Sequence, residues 1–309
     1  MARKRKGEAI SGWVNLDKPY ELGSTQAVGK VRWLFKAQKA GHAGTLDPLA
    51  TGILPIALGE ATKTVSFLMD ADKTYRFTIA WGVTTASFDA EGAVTATSFV
   101  RPSRAEVEAA LPVFVGTISQ VPPAFSAIKI AGERAYDLAR AGENVVIDAR
   151  TVQVYSAVVV GQPDLDHIDI EISCGKGTYV RAIARDLCLA LGACGHVSAL
   201  RRTRVGPFNE ASAVTLEMLE QLCNRGTALE ALAPVATALD DIPVLAVTDE
   251  EAFRLSQGRP VVLIPRQVEA LKARLDPASR TVSAMLGQTI VALCEMRAGR
   301  LNPVRVFHS

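Results

Sequence analysis

The sequence predicts an α+β fold with a largely antiparallel mixed sheet flanked by helices, followed by a small second module. Two segments, 73–83 and 167–174, alternate apolar and polar residues as strands with one buried face do. Segments with helical spacing separate the strands, and one of them begins with a capping box formed by Ser103 and Glu106. Alternating strands separated by capped helices are typical of an α+β architecture.

Length and composition allow one large domain with a small one, or two unequal domains, since the chain has 309 residues of which 49% are hydrophobic. The sequence contains no run of eighteen or more apolar residues, and its first residues lack the apolar core of a signal peptide. We therefore expect a soluble, cytoplasmic protein. The five cysteines are scattered without a C-x-x-C pair, so we expect them to be reduced packing residues.

Histidine and glycine patterns do not indicate a bound metal or nucleotide cofactor. The four histidines include no pair at i, i+4, so no zinc or iron ligand set is visible in the sequence. Neither a G-x-G-x-x-G fingerprint nor a P-loop occurs. The sequence thus predicts a protein without a metal or a cofactor.

Charge is distributed unevenly, although the formal net charge is only +2. Residues 1–41 contain nine Lys or Arg against three acids, and residues 170–206 contain six against two. Residues 207–251 contain nine acids and a single arginine. Basic patches on an otherwise neutral body favour a polyanion docked on one face, with an ordinary charged surface as the alternative.

The clearest candidate for chemistry is the segment 41–52, GHAGTLDPLATG, which combines three glycines, one proline and one carboxylate, Asp47. Glycine permits close approach of the backbone to a ligand, and Pro48 stiffens the chain just after the acid. An Asp-Pro pair is also common in surface turns. Here the apolar flanks favour a turn buried in a cleft. A helix predicted over 25–39, with one apolar stripe, leads into this segment.

The middle of the chain is predicted to continue with a strand, a turn, a helix and an irregular basic segment. The strand 73–83 has an aromatic face beginning at Tyr75, and a polar turn follows at 84–92. The segment 121–143 places basic residues among aromatic ones, which suits the gripping of a single-stranded or looped nucleic acid. An exposed insertion with solvated charges is the alternative, and the residues alone favour neither.

Arg181 occupies an unusual place for a cation. The turn at 175–177 leads into a helix predicted to be capped by Thr178 and ended by Gly192, which puts Arg181 in the first turn. The helix dipole disfavours a positive charge there, and a carboxylate partner would explain its position. A surface arginine paired with Asp186 or with water is the alternative.

The segment 195–208 is predicted to be a short element that exposes Arg201, Arg202 and Arg204, and a helix is predicted at 215–225. After a break near residue 240, Thr248 and Glu251 form a second capping box. Strands are predicted near 260–264, 288–296 and 301–307. The end of the chain therefore reads as a compact module of under seventy residues.

Three segments resemble, in order, the motifs of the bacterial TruB-type tRNA pseudouridine synthases: GHAGTLDPLATGILPIALGEATK, SCGKGTYVRAIARDL and GHVSALRRTRVGPF. The first matches nearly residue for residue. Lys18 and Pro19 also match a Lys-Pro motif of the family, but the glycine usual two places after that proline is Glu21 in this chain. The resemblance implies a pseudouridine-synthase-like core in the α+β class, with a PUA-like C-terminal domain.

The resemblance also implies a division of the chain into domains. We expect a basic tail over 1–10, a catalytic domain over 11–241 and a small PUA-like RNA-binding domain over 242–309. Within the catalytic domain, the residues at about 121–150 resemble an insertion that grips RNA.

The activity implied by the resemblance is isomerisation of uridine 55 in the T loop of tRNA, by a monomeric enzyme that needs no cofactor. Asp47 matches the catalytic carboxylate, Arg181 matches the residue that pairs with it and keeps it charged, and Tyr75 matches a catalytic tyrosine that stacks on the flipped-out uracil. The residues that match contacts to the base or the adjacent RNA are His42, Tyr75, Tyr179 and Leu200. The basic residues expected to bind RNA are Lys18, Lys63, Lys129, Arg134, Arg140, Lys176, Arg201 and Arg202.

Two other functions fit the same sequence. A non-catalytic RNA-binding or RNA-folding protein would keep the basic residues, although the presence of Asp47, Tyr75 and Arg181 argues against it. A related synthase acting on ribosomal or guide-directed RNA is the second alternative. The sequence also leaves open whether Asp47 attacks the sugar or the base.

Overall fold

The computed structural model describes residues 7–126, 128–130, 133–136, 147–275 and 279–308. The strands are, in chain order, β1 Gly12–Lys18, β2 Ala40–His42, β3 Thr51–Leu58, β4 Lys73–Trp81, β5 Val83–Thr85, β6 Val94–Thr97, β7 Gly116–Gln120, β8 Lys129–Ile130, β9 Glu133–Arg134, β10 Arg150–Gly161, β11 His167–Cys174, β12 Gly195–Val205, β13 Phe208–Asn209, β14 Leu232–Ala233, β15 Val244–Ala246, β16 Val261–Val262, β17 Thr281–Leu286, β18 Thr289–Arg297 and β19 Arg300–Val306. The α-helices are α1 Ser24–Leu34, α2 Val65–Asp70, α3 Arg104–Ala110, α4 Val180–Ala190, α5 Leu216–Arg225, α6 Asp249–Ser256 and α7 Pro265–Lys272.

A ten-stranded sheet forms the centre of the molecule, with the order β14-β1-β3-β12-β4-β11-β10-β7 and with β2 and β13 at its sides. Neighbouring strands run antiparallel, except that β12 and β3 run parallel. The predicted fold class, α+β with a largely antiparallel mixed sheet, is confirmed.

The alternating pattern of β4 and β11 builds the core on one face of this sheet. Phe77 and Ile79 on β4, and Ile168 and Ile170 on β11, are each at most 1% exposed, whereas Arg76, the residue before Phe77, is exposed. Helix α4 packs its apolar stripe onto the same cluster. Because the side chains of a strand alternate between the two faces, this register puts Phe77 and Ile79 of β4 on the same buried side as Ile168 and Ile170 of β11.

Helix α1 covers a second cluster, formed with β1 and β3, but it is shorter than predicted. It ends at Leu34 and not near residue 39, because Phe35 turns into the core and Lys36 adopts a positive φ of 48°. The five residues that follow return the chain to the sheet as β2. The shortened helix thereby delivers the chain to the edge of β3, where the glycine-rich segment begins.

The end of the chain folds as a separate five-stranded sheet with the order β15-β17-β18-β19-β16 and with its own apolar cluster. The capping box of Thr248 and Glu251 is present at the start of α6. Strand β17 and helix α7 were not predicted. The module contacts the preceding part of the chain through Leu293 and Phe307, which pack beside Phe67.

The segment expected to grip RNA is described only in part. Lys129 and Arg134 are register partners in the antiparallel pair of β8 and β9. Arg140 lies outside the described residues. None of the helices within the described ranges is long and apolar enough to cross a membrane.

At Gly52 the backbones of β3 and β12 approach so closely that there is no room for a side chain. The φ of Gly52 is +98°, and a Cβ added there would lie 2.2 Å from the carbonyl oxygen of Arg202. Gly226 also has a positive φ, of +77°, but a Cβ there would meet nothing within 4 Å. We expect Gly226→Ala to lower the free energy of unfolding by about 1 kcal/mol and Gly52→Ala by about 3 kcal/mol, measured by urea denaturation. Equal losses in the two variants would contradict the close approach of the two strands.

Candidate active site

Asp47 lies on the loop between β2 and β3, which folds back on itself because β2 pairs with the far end of β3. Ser24, at the start of α1, fixes the loop beside the acid: its Oγ accepts from the Leu46 N–H and donates to the Leu46 carbonyl, each at 2.8 Å. The Ala50 N–H donates to the Asp47 carbonyl at 3.0 Å and tightens the turn. The Asp47 side chain remains 46% exposed, so its carboxylate is open to a ligand.

Lys18 was expected to bind RNA, but the structure buries it completely. Its Nζ donates to the carbonyls of Pro19, Leu22 and Pro48 at 2.9, 2.8 and 3.1 Å. Burial lowers the pKa of Lys18 to about 8, and the negative charge of Asp47 opposes that fall. Lys18 therefore holds the turn just after Asp47 and presents no charge to a phosphate.

Arg202 was likewise expected to be exposed, and that prediction is wrong: its exposure is 1%. Its Nε donates to the Ile53 carbonyl at 2.8 Å, and Nη2 donates to the Gly44 carbonyl at 3.1 Å. The physical reason is strand geometry, since Arg201 and Arg202 are consecutive residues of β12 and must face opposite sides of the sheet. Arg202 thus supports the Asp47 loop from inside the protein.

Arg181 meets Asp47 at the start of α4. Its Nη2 lies 2.8 Å from Asp47 Oδ2, and its side chain is 8% exposed. The same guanidinium donates to the carbonyls of Ser87 and Phe125 at 3.1 and 2.9 Å. The alternative pairing with Asp186 does not occur, because Asp186 binds Arg185. The expected contact between Arg181 and Asp47 is present in the structure.

The start of α4 differs in one detail from the prediction. Tyr179 is the N-cap, and Thr178 instead donates from its Oγ1 to the Gly175 carbonyl at 3.1 Å. Gln120 replaces the missing side-chain cap by accepting from the Tyr179 N–H at 2.8 Å and donating to its carbonyl at 3.1 Å. Arg181 still lies in the first turn, where two carboxylates offset the unfavourable helix dipole.

Asp89 is the second of these carboxylates, and sequence analysis gave it no role. Its Oδ2 lies 3.1 Å from Arg181 Nη1. The other oxygen, Oδ1, accepts from Ser87 Oγ and, at 3.0 Å, from the Glu91 N–H. An aspartate in a polar turn ordinarily bonds its own backbone, as this one also does, so no local signal pointed to the distant arginine.

Two neighbouring cavities meet at Asp47. The first, of about 280 Å³, is lined by Tyr75, Tyr179 and Leu200, the residues expected to surround the base. The second, of about 310 Å³, is lined by Asp89 and the segment around residue 125. Asp47 and Arg181 line both cavities, which places the ion pair on the wall between them.

The two tyrosines of the first cavity are uncharged at neutral pH, and so is His42 on β2. Burial raises the pKa of Tyr75, with Arg202 opposing that rise, and burial also raises the pKa of Tyr179. Both phenols are therefore protonated at neutral pH. Burial and the charge of Arg202 lower the pKa of His42, so its imidazole is neutral there. His42 lies on β2 and lines neither cavity.

Three other residues expected to bind RNA are already engaged with protein groups. Lys63 donates from Nζ to the Val306 carbonyl at 2.7 Å, across the contact with the terminal module. Arg201 is held by Asp17, with its Nη2 2.8 Å from Asp17 Oδ2. Lys176 pairs with Asp70 at 2.9 Å, but its side chain is 68% exposed, so its charge remains accessible to solvent.

A metal ion has no evident ligand set at this site. Within the described ranges no group of three or more His, Cys, Asp or Glu side chains could hold one. Three acidic residues line the cavities, Asp47, Asp89 and Glu91, and the first two share Arg181.

Comparison with known proteins identifies the class to which this fold and site belong. Residues 32–180 match the family model described as TruB family pseudouridylate synthase (N terminal domain), and residues 181–241 match tRNA pseudouridylate synthase B C-terminal domain. A protein of Caulobacter vibrioides named tRNA pseudouridine synthase B is 67% identical over 307 residues, which cover 99% of each chain. A protein of the same name from Rhizobium johnstonii is 49% identical over 312 residues, covering 99% of this chain and 98% of that one.

The chain therefore belongs to the TruB family of pseudouridylate synthases, and it is an isomerase. Solved structures agree in fold. The Cbf5-Nop10-Gar1 complex contains a chain with a TM-score of 0.73 and 25% identity, covering 96% of this chain and 85% of that one. A chain of an H/ACA RNP bound to a substrate RNA containing 2'-deoxyuridine has a TM-score of 0.72 at 22% identity, covering 100% of this chain and 92% of that one.

A substitution at Asp89 tests its role, because Asp89 and Asp47 bind the same guanidinium of Arg181. Asp89→Asn keeps the size of the side chain but removes one of the two charges that hold Arg181. We expect the rate of pseudouridine formation to fall by about 10-fold, because a hydrogen bond between charged groups is replaced by a neutral one. The control is Asp186→Asn, which breaks an ion pair with Arg185 on the same helix. Tritium release from uracil-labelled RNA measures both, and similar rates for the two variants would count against a role for Asp89.

Proposed function

We propose that this enzyme converts uridine 55 in the T loop of tRNA to pseudouridine, with Asp47 acting on a flipped-out uridine and without a cofactor. The observation that carries the proposal is the ion pair of Asp47 and Arg181 at 2.8 Å, on the wall of a cavity that Tyr75 also lines. The named relatives supply the substrate class, since proteins called tRNA pseudouridine synthase B match 99% of this chain.

The isomerisation of uridine to pseudouridine can be catalysed by a carboxylate without a cofactor. The uracil is released from ribose at N1 and reattached through C5, whose hydrogen is lost as a proton, so there is no net redox change. An ionised carboxylate can add covalently to the sugar or the base, or stabilise a cationic sugar, as in glycoside chemistry. Asp47 fits these routes because its carboxylate is open to the cavity while its backbone is fixed by Ser24.

Arg181 gives the carboxylate of Asp47 a positive partner at a place where a bound base would exclude water. Its other bonds, to Asp89 and to the carbonyls of Ser87 and Phe125, fix the direction of the guanidinium. Arg181 can therefore hold one oxygen of Asp47 and leave the other for the substrate. The oxygen held by Arg181 is Oδ2, so the bond to Arg181 orients the other oxygen of Asp47 towards the substrate.

The first cavity suits a single base. At about 280 Å³ it is at the small end of ligand pockets, and its aromatic and apolar lining matches a planar uracil. We propose that Tyr75 stacks on the base and helps to move the proton at C5, while Tyr179 and Leu200 pack around it. A base inside a structured loop must leave its stack to enter such a cavity. We propose that His42 lies against the RNA and occupies the space that the flipped-out base leaves.

The remaining assignments concern the surface. We propose that Lys63, Lys129, Arg134, Arg140, Lys176 and Arg201 contact the phosphates of the T arm, with the residues at about 121–150 gripping the RNA. The proposed catalytic domain spans 11–241, and 242–309 form a PUA-like RNA-binding domain. The enzyme is proposed to act as a monomer in the cytoplasm, where its tRNA substrate occurs.

The substitution Asp47→Asn tests this assignment. It removes the ionisable group without changing the size of the side chain, so we expect no measurable pseudouridine formation and an affinity for tRNA close to that of the unaltered enzyme. Tritium release from a uracil-labelled tRNA transcript measures the reaction, and filter binding measures the affinity. A transcript with cytidine at position 55 is the control for the site, and a ribosomal RNA transcript is the control for the substrate class. Turnover by Asp47→Asn, or turnover on the cytidine-55 transcript equal to that on the normal one, would contradict the proposal.

A further inference from the structure

Arg202 is buried beside the active site without a carboxylate partner. Its side chain is 1% exposed and lines the same cavity as Asp47 and Tyr75. Among the ion pairs of the described residues, none includes Arg202. A buried guanidinium is unfavourable unless its donors are satisfied, so the groups that satisfy them indicate what it does.

The acceptors of Arg202 lie on both sides of Asp47 in the sequence. Before the acid, Nη2 donates to the Gly44 carbonyl at 3.1 Å and Nη1 is 3.4 Å from the Thr45 carbonyl. After it, Nε donates to the Ile53 carbonyl at 2.8 Å. One rigid side chain therefore joins the two arms of the loop that carries Asp47.

Arg202 is also next to Tyr75 in the sheet. Arg202 and Tyr75 are opposite each other in the antiparallel pair of β12 and β4, and both line the first cavity. Burial raises the pKa of the Tyr75 phenol, and the positive charge of Arg202 opposes that rise. Arg202 thus binds the backbone of the Asp47 loop from a strand position that is paired with Tyr75.

The backbone of Arg202 has little freedom to move. Arg202 is paired with Gly52 across the parallel strands β12 and β3. The carbonyl oxygen of Arg202 occupies the space where a side chain at Gly52 would begin, at 2.2 Å from that Cβ position. A fixed backbone and three diverging acceptors suit the planar guanidinium, and the single ammonium of a lysine could not meet them together.

We propose that Arg202 is a positioning residue that fixes the Asp47 loop relative to Tyr75 and makes no contact with the RNA. The inference rests on the proposed function, which assigns chemistry to Asp47 and Tyr75.

The test compares Arg202→Lys and Arg202→Gln with the same substitutions at Arg204. Arg204 lies on the same strand and is partly buried, but its side-chain hydrogen-bond partners among the described residues are Thr74 Oγ1 and the Gly206 carbonyl, and it lines neither cavity. The measurements are the single-turnover rate on a tRNA transcript with enzyme in excess, the affinity for that tRNA and the melting temperature. Unaltered enzyme and Asp47→Asn are measured beside them.

Both Arg202 variants should lose rate by about 100-fold, because a displacement of about 1 Å of a reacting group has that effect. Their affinity for tRNA should stay within about 3-fold of the unaltered enzyme, since only the reacting step is affected. Arg202→Gln should stay folded but melt at a lower temperature, because the two amide donors of glutamine can satisfy at most two of the three carbonyls that Arg202 binds.

Rates equal to those of the Arg204 variants would overturn the inference. So would an affinity that weakens by the same factor as the rate, because Arg202 would then act in RNA binding. Failure of both Arg202 variants to fold would also overturn it, since the residue would then belong to the core. An unaltered enzyme that is inactive on tRNA would instead overturn the proposed function, and this inference with it.

Discussion

The proposed active site depends on one guanidinium that joins three separate segments of the chain. Arg181 is placed by the first turn of α4, Asp47 by the glycine-rich loop, and Asp89 by the turn after β5. Two carboxylates around one buried arginine leave the trio with a net negative charge, which suits a site that must offer one carboxylate oxygen to a substrate. The sheet positions this contact, because β11 leads into α4, which carries Arg181, and β3 anchors the loop that carries Asp47. The distance between Arg181 and Asp47 is therefore set by rigid elements.

Two further buried cations act through the backbone and not through carboxylates. Lys18 binds the Pro48 carbonyl just after Asp47, and Arg202 binds the Gly44 carbonyl just before it. The carbonyls that accept from them include those of Gly44, Thr45 and Pro48 in the loop, so the loop is held firmly while the side chain of Asp47 stays half-exposed. A stiff backbone with an accessible carboxylate is the combination that catalysis by positioning requires.

Local patterns in the sequence predicted the strands and the fold class, since alternation in β4 and β11 depends only on which face is buried. They did not predict which cations are inside. Consecutive arginines looked like one exposed patch, whereas strand geometry sends Arg202 inward and Arg201 outward. The pairing of Arg181 with Asp47, 134 residues apart, came from the resemblance to a known family, and Asp89 had no local signal at all. Contacts between distant segments depend on the packing of the whole sheet, which short windows of sequence do not encode.

The central claim is that the planar fork of Arg181, and not only its charge, holds Asp47 in its reactive position. Arg181→Lys keeps the positive charge. A lysine ammonium, however, cannot bind the carboxylates of Asp47 and Asp89 and the carbonyls of Ser87 and Phe125 all at once. The most direct measurement is the single-turnover rate of pseudouridine formation by this variant at saturating tRNA. The account predicts a loss of about 100-fold with little change in tRNA affinity. A variant as fast as the unaltered enzyme would contradict it.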